Sequence, residues 1–183
     1  MTEEWAHKEF VNLTLLKEAG LPCPQPITWE KNVLVMSMIG DNGEAAPTLK
    51  TYLTIHPKYA INCFKQCIDL LIDMFKILQF VHADFSEYNL LYIIILSLLI
   101  SSVYKKIVYI IDVGQSVTTQ HPLWESFLKR DIHNILKFFE NYISYHSLED
   151  AEISLFEGIV NKSITSSEFL EKNLIELLNV CYY

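Results

Sequence analysis

The sequence predicts an α+β fold: a helix and two strands in its first forty residues, then a mainly helical body. Three observations carry this expectation. An acidic start followed by Phe10, Leu13 and Leu16 gives a helical stripe that Gly20 ends. Apolar runs at residues 26–29 and 32–39 flank a short polar turn and read as strands. Further on, Ile61, Phe64, Ile68, Leu71, Phe75 and Leu78 recur in alternating three- and four-residue steps, which makes a long amphipathic helix.

With 183 residues the chain is long enough for one domain with a real core. It is 51% hydrophobic and 20% charged, which fits a folded protein rather than a disordered one. A formal net charge of −8 argues against nucleic-acid binding through overall charge, and no sequence-specific nucleic-acid motif is evident. Four cysteines stand at positions 23, 63, 67 and 181 without the spacing of a metal site, so buried or free thiols in a reducing compartment are expected. The acidic N-terminus carries no apolar signal region. The apolar run 90–104 is shorter than the ~20 residues a spanning helix needs, so no membrane is expected as a partner.

Taken in order, Thr2 can cap the first helix, with Glu3 and Glu4 suited to its N-terminus. Glu9 falls mid-helix, where a solvated charge is the ordinary reading. The prolines at 22, 24 and 26 make an extended linker. Glu30 and Lys31 form the predicted turn, and Val33 to Ile39 reads as a buried strand that Gly40-Asp41-Asn42-Gly43 breaks. Pro57 suits the start of the long helix. A polar loop, His82 to Asn89, then lies between the apolar segments 79–81 and 90–92. Residues 93–104 have neither helical nor alternating periodicity and no turn residue, which is odd between two strands that should form a short hairpin. Lys106 to Ile111 reads as a strand ending at Asp112, with Gly114 close behind. A helix from about Leu123 to Tyr142 follows, on which Asp131 reads as a structural salt-bridge partner. Thr165-Ser166-Ser167-Glu168 is a capping box opening a last helix through about Val180.

The polar loop and Asp112 carry the chemistry. Asp84, then Asn89 five positions later, then Asp112 behind an apolar strand make an ordered carboxylate and amide set. One Asp can orient or deprotonate a hydroxyl, while the Asn and the other Asp hold magnesium against nucleotide phosphates. Alone, Asp84 or Asn89 could be a turn residue; the ordered set argues for phosphoryl transfer.

The chain resembles the RIO family of atypical protein kinases. The resemblance rests on residues 5–13, 19–26, 32–40 and 46–49, on Val81 to Asn89 with Ile111 to Val117, and on His121-Pro122 with Phe127 to Ile132. Residues 153–157 and 163–165 are more similar to the Rio1-type branch than to the Rio2 type. The resemblance implies a protein-kinase-like fold, mostly C-lobe, with residues 1–40 as a partial N-lobe and 41–183 as the C-lobe. Within the C-lobe, 82–89 would be the catalytic loop, 93–104 an insertion and 112–116 the metal-binding loop.

Residue by residue, Asp84 would be the catalytic aspartate, Asn89 and Asp112 the magnesium ligands, and Asp112 also a candidate phosphate acceptor. Glu9 would pair with a nucleotide-binding lysine. Backbone groups of Ser37 and Ile39 would hold the adenine of ATP, with Met36 at the back of the pocket. The implied function is serine/threonine kinase, autophosphorylation or ATPase activity in the cytoplasm. It is coupled to small-subunit ribosome maturation, with pre-ribosomal particles and a protein substrate or the chain itself as partners.

Two departures stand out. The family pattern begins upstream with a glycine-rich loop and a strand lysine, whereas this sequence starts at the helix that should follow them. The apolar stretch 93–104 is extra; a translated intron or faulty gene model is the first expectation for it, and a genuine extended hairpin the alternative. The competing class is a non-enzymatic binding module, and a small-molecule kinase of the wider fold is a third reading.

Overall fold

A computed structural model of the protein describes residues 2–97 and 103–177. Helix α1 (Glu3–Glu18) opens the chain. Thr2 precedes it in extended conformation without making the side-chain cap expected of it. Gly20 ends it at φ +78°, a conformation that costs glycine little. Ala6, Glu9, Asn12, Leu13 and Leu16 face inward, and Trp5 stays half exposed.

Strands β1 (Pro26–Glu30) and β2 (Val33–Met36) form an antiparallel hairpin, with Trp29 opposite Leu34 and Glu30 opposite Val33. The turn therefore falls on Lys31 and Asn32, one residue later than the sequence suggested, with Lys31 at φ +52°. The expectation of a buried second strand does not hold. Val33, Val35 and Met36 are 56%, 43% and 38% exposed, because among the described residues this sheet has two strands and no layer covers its outer face. A second hairpin, β3 (Gly40–Asp41) with β4 (Glu44–Ala45), turns through Asn42 and Gly43, both at positive φ. Paired positive φ values are the mark of a tight two-residue hairpin turn.

Helix α2 (Leu49–Ile55), absent from the sequence reading, is capped by Thr48, whose hydroxyl accepts from the Thr51 N–H. A 3-10 turn at Pro57–Tyr59 leads into α3 (Ala60–Leu78), the long amphipathic helix expected there. Its buried face, including Cys63, Phe64, Cys67, Ile68, Leu71 and Phe75, forms the centre of the core, and the cysteines at 23, 63 and 67 are buried free thiols. Gln79 ends the helix in a left-handed conformation. Strand β5 (Phe80–Val81) enters the polar loop.

Beyond that loop, β6 (Leu90–Ser97) pairs with β7 (Val103–Ile110) in unbroken register from Leu90↔Ile110 to Ser97↔Val103. Residues 93–97 and 103–104 thus continue the hairpin strands, and positions 98–102 of the apolar stretch lie outside the described residues. Alternation is clear near the body. Leu90, Tyr92, Val108 and Ile110 are buried, while Leu91, Ile93, Ile107 and Tyr109 are half-buried. The sequence hid it because both faces of the hairpin carry apolar side chains.

Strand β8 (Val117–Thr118) pairs back onto β5. Helix α4 (Trp124–Phe139) stops three residues before the expected end, and β9 (Ile143–Tyr145) follows it. Helix α5 (Leu148–Val160) was not foreseen; Ser147 caps it. The predicted capping box opens α6 (Ser166–Asn173), with Thr165 and Glu168 satisfying each other's backbone N–H groups. That helix is shorter than expected. From Leu174 the chain runs as β10 (Leu174–Leu177), which pairs with β9. Phe64, Phe139 and Phe169 meet in the core, with ring centroids 4.8 and 6.2 Å from that of Phe64.

Candidate active site

The polar loop is held from below by α4. The Asp131 carboxylate, fully buried, accepts from the Ala83 N–H at 2.8 Å and from the Phe85 N–H at 2.9 Å. Arg130 donates to the Ala83 carbonyl. Asp131 is thus not the salt-bridge residue expected from the sequence; it takes part in no ion pair among the described residues and instead fixes the backbone on either side of Asp84. This anchoring is needed because Ala83 sits at φ +66°, a region that costs an alanine energy. Burial pushes the Asp131 carboxyl up to about 7, against the opposing pull of the two backbone donors and Arg130.

His82 is buried on the other side of the loop. Its Nε2 stands 3.2 Å from the Ile111 carbonyl oxygen, and the Ser116 hydroxyl donates to the His82 carbonyl at 3.1 Å. Only Nε2 faces an acceptor, so Nε2 carries the proton and Nδ1, which has no partner, keeps its lone pair. Desolvation lowers the imidazole to about 4, which keeps it neutral. His82 is therefore a positioning residue rather than a proton carrier at neutral pH.

Asp84 projects from this anchored backbone into solvent. The Asn89 side-chain amide donates to the Asp84 carbonyl at 3.0 Å and to the Asp84 carboxylate at 2.9 Å. With its nitrogen used in this way, the amide leaves its oxygen free to face a cation. The β6–β7 register then delivers Asp112: Leu90 pairs with Ile110, and the Ile111 N–H donates to the Asn89 carbonyl at 3.0 Å. Asp112 follows at φ +56° with its side chain exposed. The three residues singled out in the sequence are thus brought to one edge of the fold by one loop and one hairpin.

Helix α1 reaches this edge from above. The Asn12 amide donates to the Val113 carbonyl at 2.8 Å, a buried contact that ties the helix to the backbone just after Asp112. One turn earlier on the helix is Glu9, only 5% exposed. A Cβ placed at Gly114 would lie 3.8 Å from its carboxylate, an ordinary van der Waals contact, so the loop after Asp112 runs alongside this part of the helix. Burial first, and the Asp112 carboxylate second, raise the Glu9 carboxyl. Among the described residues Glu9 belongs to no ion pair. The solvated-charge reading of Glu9 is overturned by its burial.

Met36 ends β2, and Ser37 and Ile39 lie on the segment joining it to β3. The Ser37 N–H donates to the Gln25 carbonyl at 2.9 Å, and the Ile39 carbonyl accepts from Ala46 at 2.9 Å. No hydrogen bond among the described residues links these three to the polar loop. Asn12 and Asp131 are the site residues the sequence reading did not assign there. Both are polar residues on the inner face of an amphipathic helix, Asn12 beside Leu13 and Leu16, Asp131 among Leu128, Ile132 and Ile135. A polar side chain on an apolar stripe was the available signal.

Comparison with known proteins agrees with this architecture. The family model of the RIO domain matches residues 1–152. The serine/threonine-protein kinase rio1 of Dictyostelium discoideum is 39% identical over 178 residues, covering 95% of this chain and 28% of that protein. The human serine/threonine-protein kinase RIO1 is 39% identical over 166 residues, 90% of this chain and 26% of that protein. Mouse RIO3 is 34% identical over 179 residues, 96% of this chain and 32% of that protein. The chain therefore spans between about a quarter and a third of the length of these relatives. Among solved structures, the Rio2 kinase-ADP/Mg2+-phosphoaspartate complex from Chaetomium thermophilum matches with a TM-score of 0.51 at 23% identity. That match covers 92% of this chain and 52% of that one, and it speaks to the protein-kinase-like fold. With a matching family model over most of its length and relatives near 40% identity, the chain belongs to the RIO family, on its Rio1-type side.

Proposed function

We propose that this chain supplies the acceptor- and magnesium-facing half of an ATP-dependent phosphoryl-transfer site, acting as a serine/threonine protein kinase, by autophosphorylation, or as an ATPase. The observation that carries the reading is the joined set Asp84–Asn89–Asp112. One amide bridges to the first carboxylate, and one hairpin register brings the second beside it. Asp84, exposed on an anchored loop, is the group that orients the acceptor hydroxyl or a water and takes up its proton.

The donor set fits Mg2+. The Asn89 oxygen and the Asp112 carboxylate are hard oxygen ligands, and a magnesium ion held by only one or two protein oxygens completes its shell with phosphates and water. A bound ion there would act as a Lewis acid on the phosphate oxygens and neutralise the negative charge that builds as the leaving oxygen departs. On the nucleotide side, Ser37 uses its N–H and Ile39 its carbonyl within the protein, which leaves the Ser37 carbonyl and Ile39 N–H for an adenine edge. Met36 would pack on the base from its half-open position. Asp112 is also our candidate for a transient phosphate acceptor, on the precedent of the phosphoaspartate in the Rio2 complex. The same family background supports pre-ribosomal small-subunit particles as partners and the cytoplasm as the setting. No helix among the described residues is long and apolar enough to cross a membrane.

A second reading is favoured by Glu9. It is buried next to Asp112, and no ion pair among the described residues gives it a cation to help position a nucleotide phosphate. On that reading the chain is a binding module. Calorimetry with Mg-ATP separates the two. The enzyme reading expects saturable binding and ATP hydrolysis, both reduced by Asp112→Ala, with hydrolysis also abolished by Asp84→Ala. Absence of any nucleotide binding leaves the module.

A further inference from the structure

A groove of about 970 Å³ opens beside the polar loop rather than at the nucleotide side. Its near wall is Ser86, Glu87 and Tyr88, the residues between Asp84 and Asn89. Its far wall is the outer face of α4 with the chain just beyond it, including Asn134, Lys137 and Asn141. Lys50 of α2 closes one end. Its backbone N–H donates to the Glu87 carbonyl at 3.3 Å, and its ammonium bonds the Tyr88 hydroxyl while lying 4.6 Å from the ring centre. Tyr88 is nevertheless 54% exposed, so an aromatic side chain faces solvent four residues after Asp84, the group expected to act on an acceptor.

The lining indicates what would fill it. Two lysines, Lys50 and Lys137, are matched by Glu87 and Glu140, and Lys137 and Glu140 already pair at 2.6 Å. A polyphosphate or nucleic-acid ligand needs a surplus of cations, which this groove lacks. Hydroxyls and side-chain amides from Ser86, Tyr88, Asn134 and Asn141 offer both donors and acceptors, and so does an extended peptide backbone. The volume is at the upper end of the ~300–1,000 Å³ of small-molecule sites, and the groove is open to solvent, as a chain passing through it requires.

We propose that this groove between the Ser86–Tyr88 wall and α4 is the docking site for an extended polypeptide segment of the acceptor protein, with Tyr88 and Lys50 as specificity-determining residues at its catalytic end. The proposal rests on the phosphoryl-transfer reading for its meaning but not for its measurement. The segment lies along α4 and presents a serine or threonine hydroxyl to Asp84. The exposed Lys50–Tyr88 contact is worth little in water and exchanges readily for contacts with the bound chain.

The test is an NMR titration of the whole chain, without nucleotide, using short unstructured serine-centred peptides. Inorganic polyphosphate and a neutral oligosaccharide serve as rival ligands. Saturable shifts confined to the amides of residues 86–88 and 133–142 are expected, with peptides binding more tightly than either rival. Asn134→Trp, which fills the groove, should weaken peptide binding at least about tenfold, or about 1.4 kcal/mol. Where that variant fails to fold, Tyr88→Ala, at an exposed position, should give a loss of several-fold. Shifts elsewhere, equal binding by the variants, or preference for polyphosphate or oligosaccharide overturns the proposal. Mg-ATP calorimetry on the same samples keeps the two readings apart. Peptide binding without nucleotide binding retires the enzyme and keeps the groove; the reverse retires the groove alone.

Discussion

Asp131→Ala should unfasten the polar loop without touching any group expected to react. The wild-type carboxylate satisfies two N–H groups, at Ala83 and Phe85, in a site where those residues are 4% and 0% exposed. Alanine leaves both donors buried and unpaired, at about 1–3 kcal/mol each, so the expected loss is about 2–6 kcal/mol. That is a large share of the roughly 5–15 kcal/mol that holds a domain together. Ala83 adds to the effect, because its positive φ loses the contact that holds it there. Asp131→Asn keeps an acceptor for one N–H but turns an amide donor towards the other, so its cost should be about half. Urea unfolding followed by tryptophan fluorescence gives both numbers, with Trp124 at the start of α4 as a local reporter. A loss below about 1 kcal/mol for Asp131→Ala, at unchanged m-value, would refute the anchoring argument.

Other perturbations read other parts of the structure. Gly40→Ala should cost about 1–3 kcal/mol, because a Cβ there overlaps the Glu44 carbonyl oxygen across the β3–β4 turn; thermal melting measures it. Burial pushes the Cys63 thiol up to about 12 and Cys67 well above its usual value, so neither should react with a thiol reagent at pH 8 until the chain unfolds; mass mapping of the labelled peptides checks this. Phe169→Ala should cost about 3–5 kcal/mol by emptying the aromatic contact with Phe64, measured by urea denaturation.

Those parts of the fold that repeat or punctuate were legible in the sequence. The stripe from Ile61 to Leu78 gave α3 because a buried helix face must recur every three to four residues. Gly20 marked a helix end and Thr165 a helix start because the backbone there needs a positive φ or a side-chain cap. Short helices such as α2, with seven residues, carry too few turns for a period to show. The hairpin extension defeated the reading for a different reason: Ile93, Ile94 and Ile95 fill both faces, so alternation of side chains leaves no alternation of polarity. Asp84, Asn89 and Asp112 could be grouped because loop residues of unusual chemistry are conspicuous between apolar strands. Their support could not, since Asp131 and Asn12 act through backbone atoms 48 and 101 positions away.

The two buried titratable groups around this loop set opposite pH slopes. Asp131 is raised from 3.8 to about 7 by burial. Between those values the folded chain holds a proton that the unfolded chain has lost. Its stabilising contribution is therefore full below about 4 and declines until pH reaches about 7. His82 is lowered from 6.5 to about 4 by burial. There the unfolded chain holds the extra proton, so its contribution is full above about 6.5 and is lost as pH falls towards 4. Across most of the same window the two slopes oppose each other, each up to about 1.4 kcal/mol per pH unit. Their sum leaves the wild type flatter than either residue alone would make it. Removing one should expose the other: Asp131→Asn should become more stable as pH rises from 4 to 6.5, and His82→Gln less stable over the same range. Parallel profiles for the two variants would mean that the loop is not held by this pair of buried groups.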